Sequence, residues 1–86
     1  MSDVQARFDG AVAAAMLLAK RPDDATLLKI YGLYKQATVG DVTGEPPAMF
    51  DIVNKAKYDA WDAVSGTPRD QAMTQYADLI DSLRSA

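Results

Sequence analysis

Apolar residues fall into four blocks along the chain, and within each block they recur at helical spacing rather than in strand-like alternation. The first block predicts a helix over about Val4 to Ala19. Val4, Phe8, Ala11, Val12, Ala15 and Ala19 form one stripe along it. Pro22 forbids continuation, and Asp23 or Asp24 is placed to cap a second helix through its carboxylate. That helix is expected to run to about Val39, with Leu27, Ile30, Tyr31, Tyr34 and Thr38 on its inner face and Gly40 just past its end.

The stretch GDVTGEPPAMFD, Gly40 to Asp51, carries two glycines and a Pro46-Pro47 pair. It reads as a partly extended loop, long enough for a crossover rather than a tight hairpin. A third helix follows over about Ile52 to Val64, closed by Ser65-Gly66. In TPRD, Thr67 is expected to cap a fourth helix, with Pro68 in the first position and Asp70 completing a capping box. Met73, Tyr76, Ile80 and Leu83 then share one side. The pattern contains no internal repeat or low-complexity tract. It predicts an all-α, four-helix bundle with a long loop between helices 2 and 3, forming one domain over residues 1–86.

Composition narrows the chemistry. The 86 residues include neither cysteine nor histidine. That removes thiol nucleophiles, disulfides and Cys-based metal sites, together with the commonest general base and metal ligand. Much common enzyme chemistry is thereby excluded, and no catalytic residue, metal or cofactor is expected. A formal net charge of −3 disfavours nucleic acid as a partner, because phosphate contacts need a basic face. The run GAVAAAMLLA, Gly10 to Ala19, is apolar throughout but shorter than the roughly 20 residues that cross a bilayer. Asp3 and Asp9 precede it against Arg7, so the basic start of a signal peptide is lacking. The expectation is an alanine-rich helix in a cytoplasmic protein with no integral membrane segment.

Two lysines depart from a plain bundle pattern. Lys57 lies among Val53, Ala60, Trp61 and Val64 on the helical wheel, and Lys35 lies one turn beyond Tyr31 at the edge of an apolar face. A lysine so placed either extends its ammonium to the rim or meets an anion. Tyr31, Tyr34, Tyr58 and Tyr76 divide the same way, between core residues with hydroxyls at the rim and rings for an aromatic base to stack on. Lysine plus tyrosine, without a glycine-rich phosphate loop, suits a terminal phosphate on a nucleotide. The paired acids Asp59/Asp62 and Asp78/Asp81 belong to solvated faces, and DVTGE offers too few ligands for calcium.

YGLYKQATVGD, Tyr31 to Asp41, resembles the Y-x-x-Y-K-Q-A-T-x-G-D signature of the acyl-CoA-binding protein family. NKAKYDAW, Asn54 to Trp61, is similar to the family's K-A-K-W-D-A-W block, and Phe8, Pro22-Asp23 and AMTQY fall at matching spacings. The resemblance spans nearly the whole chain. It implies a four-helix fold for non-catalytic binding, buffering and transport of medium- and long-chain fatty acyl-CoA. Tyr31, Lys35 and Lys57 would hold the 3′-phosphate of the CoA ribose, Tyr34 would lie beside the nucleotide, and Tyr76 would contact the ligand. A monomer is the default expectation, with acyl-CoA-using enzymes as candidate further partners. Met16 and Val53 stand where basic residues are frequent in the family, Tyr58 where a tryptophan is usual, and Ala48 where a glycine is usual. The phosphate clamp therefore carries fewer cations than a typical member's. Apolar residues of the first two helices, Met16, Leu17 and Leu28 among them, are the expected walls of the acyl groove.

Two other readings stand beside this one. Asp81-Ser82-Leu83 matches the short motif of acyl carrier proteins, in which the serine carries phosphopantetheine and the acyl group is covalent. The other is a helical interaction module whose tyrosine–lysine face meets a protein.

Overall fold

The computed structural model describes residues 3–85, so the outermost three positions of the one-domain assignment lie outside it. Among the described residues there are four helices and no strand: α1 (Asp3–Ala15), α2 (Asp24–Thr38), α3 (Ile52–Asp62) and α4 (Arg69–Arg84). The all-α expectation holds. Asp23 caps α2 as its side chain predicts, its Oδ1 accepting from the Thr26 amide at 2.8 Å. Gly40, at φ 104°, takes the left-handed step that closes the helix, its amide donating to the Lys35 carbonyl.

Three boundaries differ from the sequence reading. α1 stops at Ala15, four residues before Ala19, tightening into a turn in which the Met16 and Leu17 amides reach back to Ala13 and Ala14. No neighbouring helix covers Met16 or Leu17, which are 84% and 83% exposed, so burial ceases to support the helix there. α3 ends at Asp62 rather than Val64, loosening into successive turns up to Gly66. The α4 capping box at Thr67 and Asp70 does not form: Pro68 occupies the cap, extended at φ −57° and ψ 148°, with no side-chain hydrogen bond. Thr67 serves α2 instead, its carbonyl accepting from Gln36 Nε2 at 2.9 Å.

α4 packs against α1 and α2, and α2 packs against α3, which spreads the helices into a body of 37 × 31 × 15 Å. Phe8 and Ala11 of α1, Leu33 and Ala37 of α2, and Ala72, Met73, Tyr76, Ala77 and Ile80 of α4 form the core. Alanine at the contact positions lets the backbones approach closely.

The predicted inner face of α2 is displaced. Gly32, Leu33, Gln36 and Ala37 are the buried residues, while Tyr34 and Thr38 are exposed. α2 has partners on two flanks, α4 on the Leu33–Ala37 side and α3 on the Gly32 side. Of the predicted face, Ile30 packs against the core, Tyr31 turns toward α3, and Tyr34 and Thr38 border a cleft with α1.

Contact partners fix the directions. Tyr31, Gly32 and Lys35 meet Lys57, Ala60 and Trp61 in the same order, so α2 and α3 run parallel. The loop over 40–51 must then return the full length of a helix, which explains its crossover length. Arg7 pairs with Asp78 and Asp81, while Ala14 shares a cavity with Leu83, so α1 and α4 are also parallel. The ends of α1 and α4 and the starts of α2 and α3 therefore gather at one end of the bundle.

Candidate functional site

The parallel α2–α3 pair is built around one close approach. A Cβ added at Gly32 would lie 2.5 Å from the Ala60 carbonyl oxygen, so only glycine lets the two backbones come this near. Residues one position before Gly32 and three after it then face α3. Tyr31 and Lys35 are a turn apart on α2, and Lys57 and Trp61 are a turn apart on α3.

These four side chains pair crosswise. Lys57 Nζ lies 5.6 Å from the Tyr31 ring centroid, and Lys35 Nζ lies 4.9 Å from that of Trp61. Each helix thus contributes one cation and one ring, and both ammonium groups come to the same seam, one rung apart. Cation–π contact of this kind is worth about 0.5–1 kcal/mol at an exposed site and more when desolvated. Among the described residues no carboxylate oxygen lies within 4.0 Å of either lysine, although Lys55, between them in sequence, is paired to Asp59 at 2.7 Å. The seam therefore holds two cations whose charge the protein leaves open.

The rungs are held from behind. Trp61 is 9% exposed, and its indole Nε1 donates to the Gly40 carbonyl at 2.7 Å. Next to it, Asp41 Oδ1 accepts from Gln36 Nε2 at 2.8 Å and from the Gly66 amide at 2.7 Å. This clasp ties the end of α2 to the turn after α3. Donation from Gln36 first, and from Gly66 second, holds the Asp41 carboxyl below its ordinary range.

A groove of about 430 Å³ runs from Tyr31 and Lys57 toward the α2 and α3 starts. Leu27, Leu28, Ile52, Val53 and Ala56 supply its apolar lining, and Arg21 and Asp24 stand at its far end. One end of the site is cationic and aromatic; the rest is apolar. This arrangement suits an amphiphile with an anionic head. Among the described residues no cluster of acids could hold a metal, and no helix is long and apolar enough to cross a membrane.

The five sequence-predicted site residues do not all converge. Tyr31, Lys35 and Lys57 meet at the seam. Tyr34 lies on another flank of α2, 40% exposed, and lines a second cleft of about 370 Å³ with Phe8, Val12 and Arg69. Tyr76 is 3% exposed, packed beneath Phe8 and Tyr34 at centroid distances of 5.1 and 6.2 Å. Burial, and then the nearby Tyr34, push its phenol above the usual range. Its position is that of a support for Tyr34 rather than of a groove wall. Of the expected walls Leu28 lines the α2–α3 groove. Leu17 lines a separate cavity beside Leu83, and Met16 lines neither. Ser82 sits in the last turn of α4, its hydroxyl donating to the Leu79 carbonyl at 2.7 Å.

Sequence reasoning did not assign Trp61 as a platform for Lys35, or Arg21, Ile52 and Val53 to the groove. The available signal was the repeated four-residue spacing, Tyr31–Lys35 against Lys57–Trp61, which matches ring to cation only when α2 and α3 are parallel.

Comparison with known proteins identifies the family of the chain. The family model described as Acyl CoA binding protein matches residues 5–80. Acyl-CoA-binding protein homolog 1 of Caenorhabditis elegans is 45% identical over 76 residues, 88% of each chain. Enoyl-CoA delta isomerase 2 of Rattus norvegicus is 44% identical over all 86 residues, and that of Homo sapiens 43% identical over 79 residues. The chain spans only 22% and 20% of those two enzymes' length. Among solved structures, Oryza sativa Acyl-CoA-Binding Protein 2 superposes with a TM-score of 0.90 at 36% identity, covering 95% of this chain and 91% of the rice chain. The ACBP of Moniliophthora perniciosa gives 0.86 at 38% identity, covering 96% and 80%. With a family model spanning most of the chain and relatives alike along its length, the protein belongs to the acyl-CoA-binding protein family.

Proposed function

We propose that this chain is a non-catalytic carrier and buffer of fatty acyl-CoA, with the 3′-phosphate of CoA held at the Tyr31–Lys57 and Lys35–Trp61 rungs. The observation that carries this reading is the crosswise pairing itself, which sets two cations without carboxylate partners at the head of an apolar groove. A phosphate there gains charge-assisted hydrogen bonds, each worth about 1.5–3 kcal/mol where desolvated and below 1 kcal/mol at an exposed rim. Lys57 is exposed and Lys35 half-buried, so Lys35 contributes the larger share.

The tail follows a different rule. Each methylene withdrawn from water contributes roughly 0.8 kcal/mol, so acyl-CoA binds well above free CoA and affinity climbs with chain length until the groove is filled. Tyr34, on the neighbouring flank of α2, is assigned to the nucleotide through its exposed ring, with Tyr76 as its buried support. The absence of cysteine and histidine from the sequence favours binding over chemistry. The likeness to two isomerases concerns a fifth of their length and supports a shared binding module, not a shared reaction.

The position of Ser82 speaks against a covalent carrier, since that chemistry places its serine at a helix start. Calorimetric titration with palmitoyl-CoA tests the proposal. Lys35→Ala and Lys57→Ala are each expected to weaken binding, Lys35→Ala more. Unchanged affinity in both removes the phosphate assignment.

A further inference from the structure

Among the described residues Gln36 is the one buried polar side chain, 2% exposed. Its Nε2 donates to Asp41 Oδ1 and to the Thr67 carbonyl. Both neighbours are acceptors, so the amide cannot be turned round. The consequence falls on its own Oε1, which is buried and meets no donor among the described residues. An apolar side chain of similar size would strand no acceptor, so burial alone does not account for an amide here. What the amide adds is direction.

That direction reaches the seam through the chain just after α2. Gln36 and the Gly66 amide donate to the same Asp41 oxygen, at 2.8 and 2.7 Å, which holds Asp41 between the end of α2 and the turn after α3. On the other side of Gly40 the Val39 amide, like that of Gly40 itself, donates back to the Lys35 carbonyl. With both flanks fixed, the Gly40 carbonyl is aimed at Trp61 and accepts from its Nε1 at 2.7 Å. The bond holds the nearly buried indole in one orientation, with Lys35 Nζ over its face. Among the described residues no hydrogen bond braces Tyr31 or Lys57 on the other rung in this way. One rung is set in advance and the other is not.

We propose that Gln36 and Asp41 are positioning residues of the anion clamp: through Gly40 they orient the Trp61 ring, and so place the Lys35 ammonium in the seam before the 3′-phosphate arrives. The inference rests on the carrier reading. A lysine side chain loses rotamer freedom when it closes on an anion, and a ring already fixed beneath it removes part of that loss. The clasp therefore acts on recognition of the head. It leaves the apolar groove beyond Tyr31 and Lys57 untouched.

The test uses the full chain and two readouts, with circular dichroism as the check on folding. In proton NMR of the ligand-free protein, ring currents are expected to move the Lys35 ε-methylene signals upfield, because that side chain lies over the indole. In calorimetry, the preference for palmitoyl-CoA over its 3′-dephospho analogue is measured. Asp41→Ala and Gln36→Leu are each expected to abolish most of the Lys35 shift, to leave the Lys57 signals in place, and to lower the preference about threefold to tenfold. The gain in affinity from decanoyl-CoA to palmitoyl-CoA is expected to remain. Asp41→Asn keeps an oxygen that can accept both bonds, and is expected to restore the Lys35 shift and a preference within about twofold of wild type. Asp23→Ala removes the cap at the other end of α2 and is the control for lost stability; it is expected to change neither readout.

A Lys35 shift or a preference that survives both Asp41→Ala and Gln36→Leu overturns the proposal. So does an equal loss in Asp23→Ala, which marks general loosening, or a Lys57 signal or chain-length gain that disappears in step. The carrier reading is judged separately, by whether the wild type binds palmitoyl-CoA. The Lys35 shift is read without ligand and judges the clasp in either case.

Discussion

Replacing Gly32 with alanine tests the packing on which the site is built. The new Cβ would meet the Ala60 carbonyl oxygen at 2.5 Å, the Ala60 carbonyl carbon at 2.9 Å and the Trp61 amide nitrogen at 3.3 Å. These are backbone atoms and cannot rotate away. Reaching ordinary contact at 3.4 Å requires α3 to retreat by about 0.9 Å. Overpacking of this kind costs about 1–3 kcal/mol. Against it, alanine gains about 0.5–1 kcal/mol over glycine in a helix interior. The net expectation is a loss of about 0–2.5 kcal/mol, and Gly10→Ala isolates the two contributions. Gly10 is also helical, but nothing lies within 4 Å of its added Cβ, so only the propensity gain applies. Urea unfolding followed by circular dichroism is expected to place Gly32→Ala below Gly10→Ala by about 1–3 kcal/mol. Because the retreat separates Lys57 from Tyr31 and Lys35 from Trp61, palmitoyl-CoA affinity is expected to fall in Gly32→Ala alone. Equal stabilisation by the two substitutions would refute the close approach and the rung geometry with it.

Acid stability should depend on the Asp41 clasp. Its folded pKa is depressed, so its contribution is present above the ordinary carboxylate pKa and disappears as pH falls through the lower folded value. In unfolding followed by fluorescence, Asp41→Asn is expected to be less stable than wild type near neutrality and to show a shallower loss below about pH 4. At the other extreme, the folded pKa of Tyr76 is raised, so its contribution is complete below the ordinary tyrosine range and is lost as pH climbs through the higher folded value. Tyr76→Phe is expected to remove that part of the destabilisation seen above about pH 10 in an alkaline melt. Trp61→Leu deletes the ring under Lys35 and the bond to Gly40, and is expected to weaken palmitoyl-CoA binding about threefold to thirtyfold in calorimetry, beyond any effect on melting temperature.

Punctuation made the helices legible. Pro22-Asp23, Gly40 and the Ser65–Pro68 segment break the chain where local chemistry requires, and the structure keeps all three breaks. The end of α1 was not legible, because Met16 and Leu17 look as apolar as the core yet stand exposed. The α2 face was misread because its buried set includes Gly32 and Gln36, a glycine and an amide that an apolar stripe passes over. Leu27 and Tyr31 of that stripe line the α2–α3 groove, Tyr34 and Thr38 border the second cleft, and Ile30 packs against the core. Lys35 and Lys57 were legible as anomalies on their own wheels. Their pairing with Trp61 and Tyr31 was not, because it depends on the parallel register of α2 and α3. Tyr76 entered as a ligand contact through the family signature, whereas its place beside Met73 and Ile80 on one side of α4 already pointed to the core in which it lies.

The phosphate clamp is tested most directly by comparing palmitoyl-CoA with its 3′-dephospho analogue by calorimetry, in the wild type and in Lys35→Ala with Lys57→Ala. The account predicts that the wild type strongly prefers the phosphorylated ligand and that the preference collapses toward unity in the double variant. A wild type indifferent to the 3′-phosphate, or a preference that survives loss of both lysines, contradicts it.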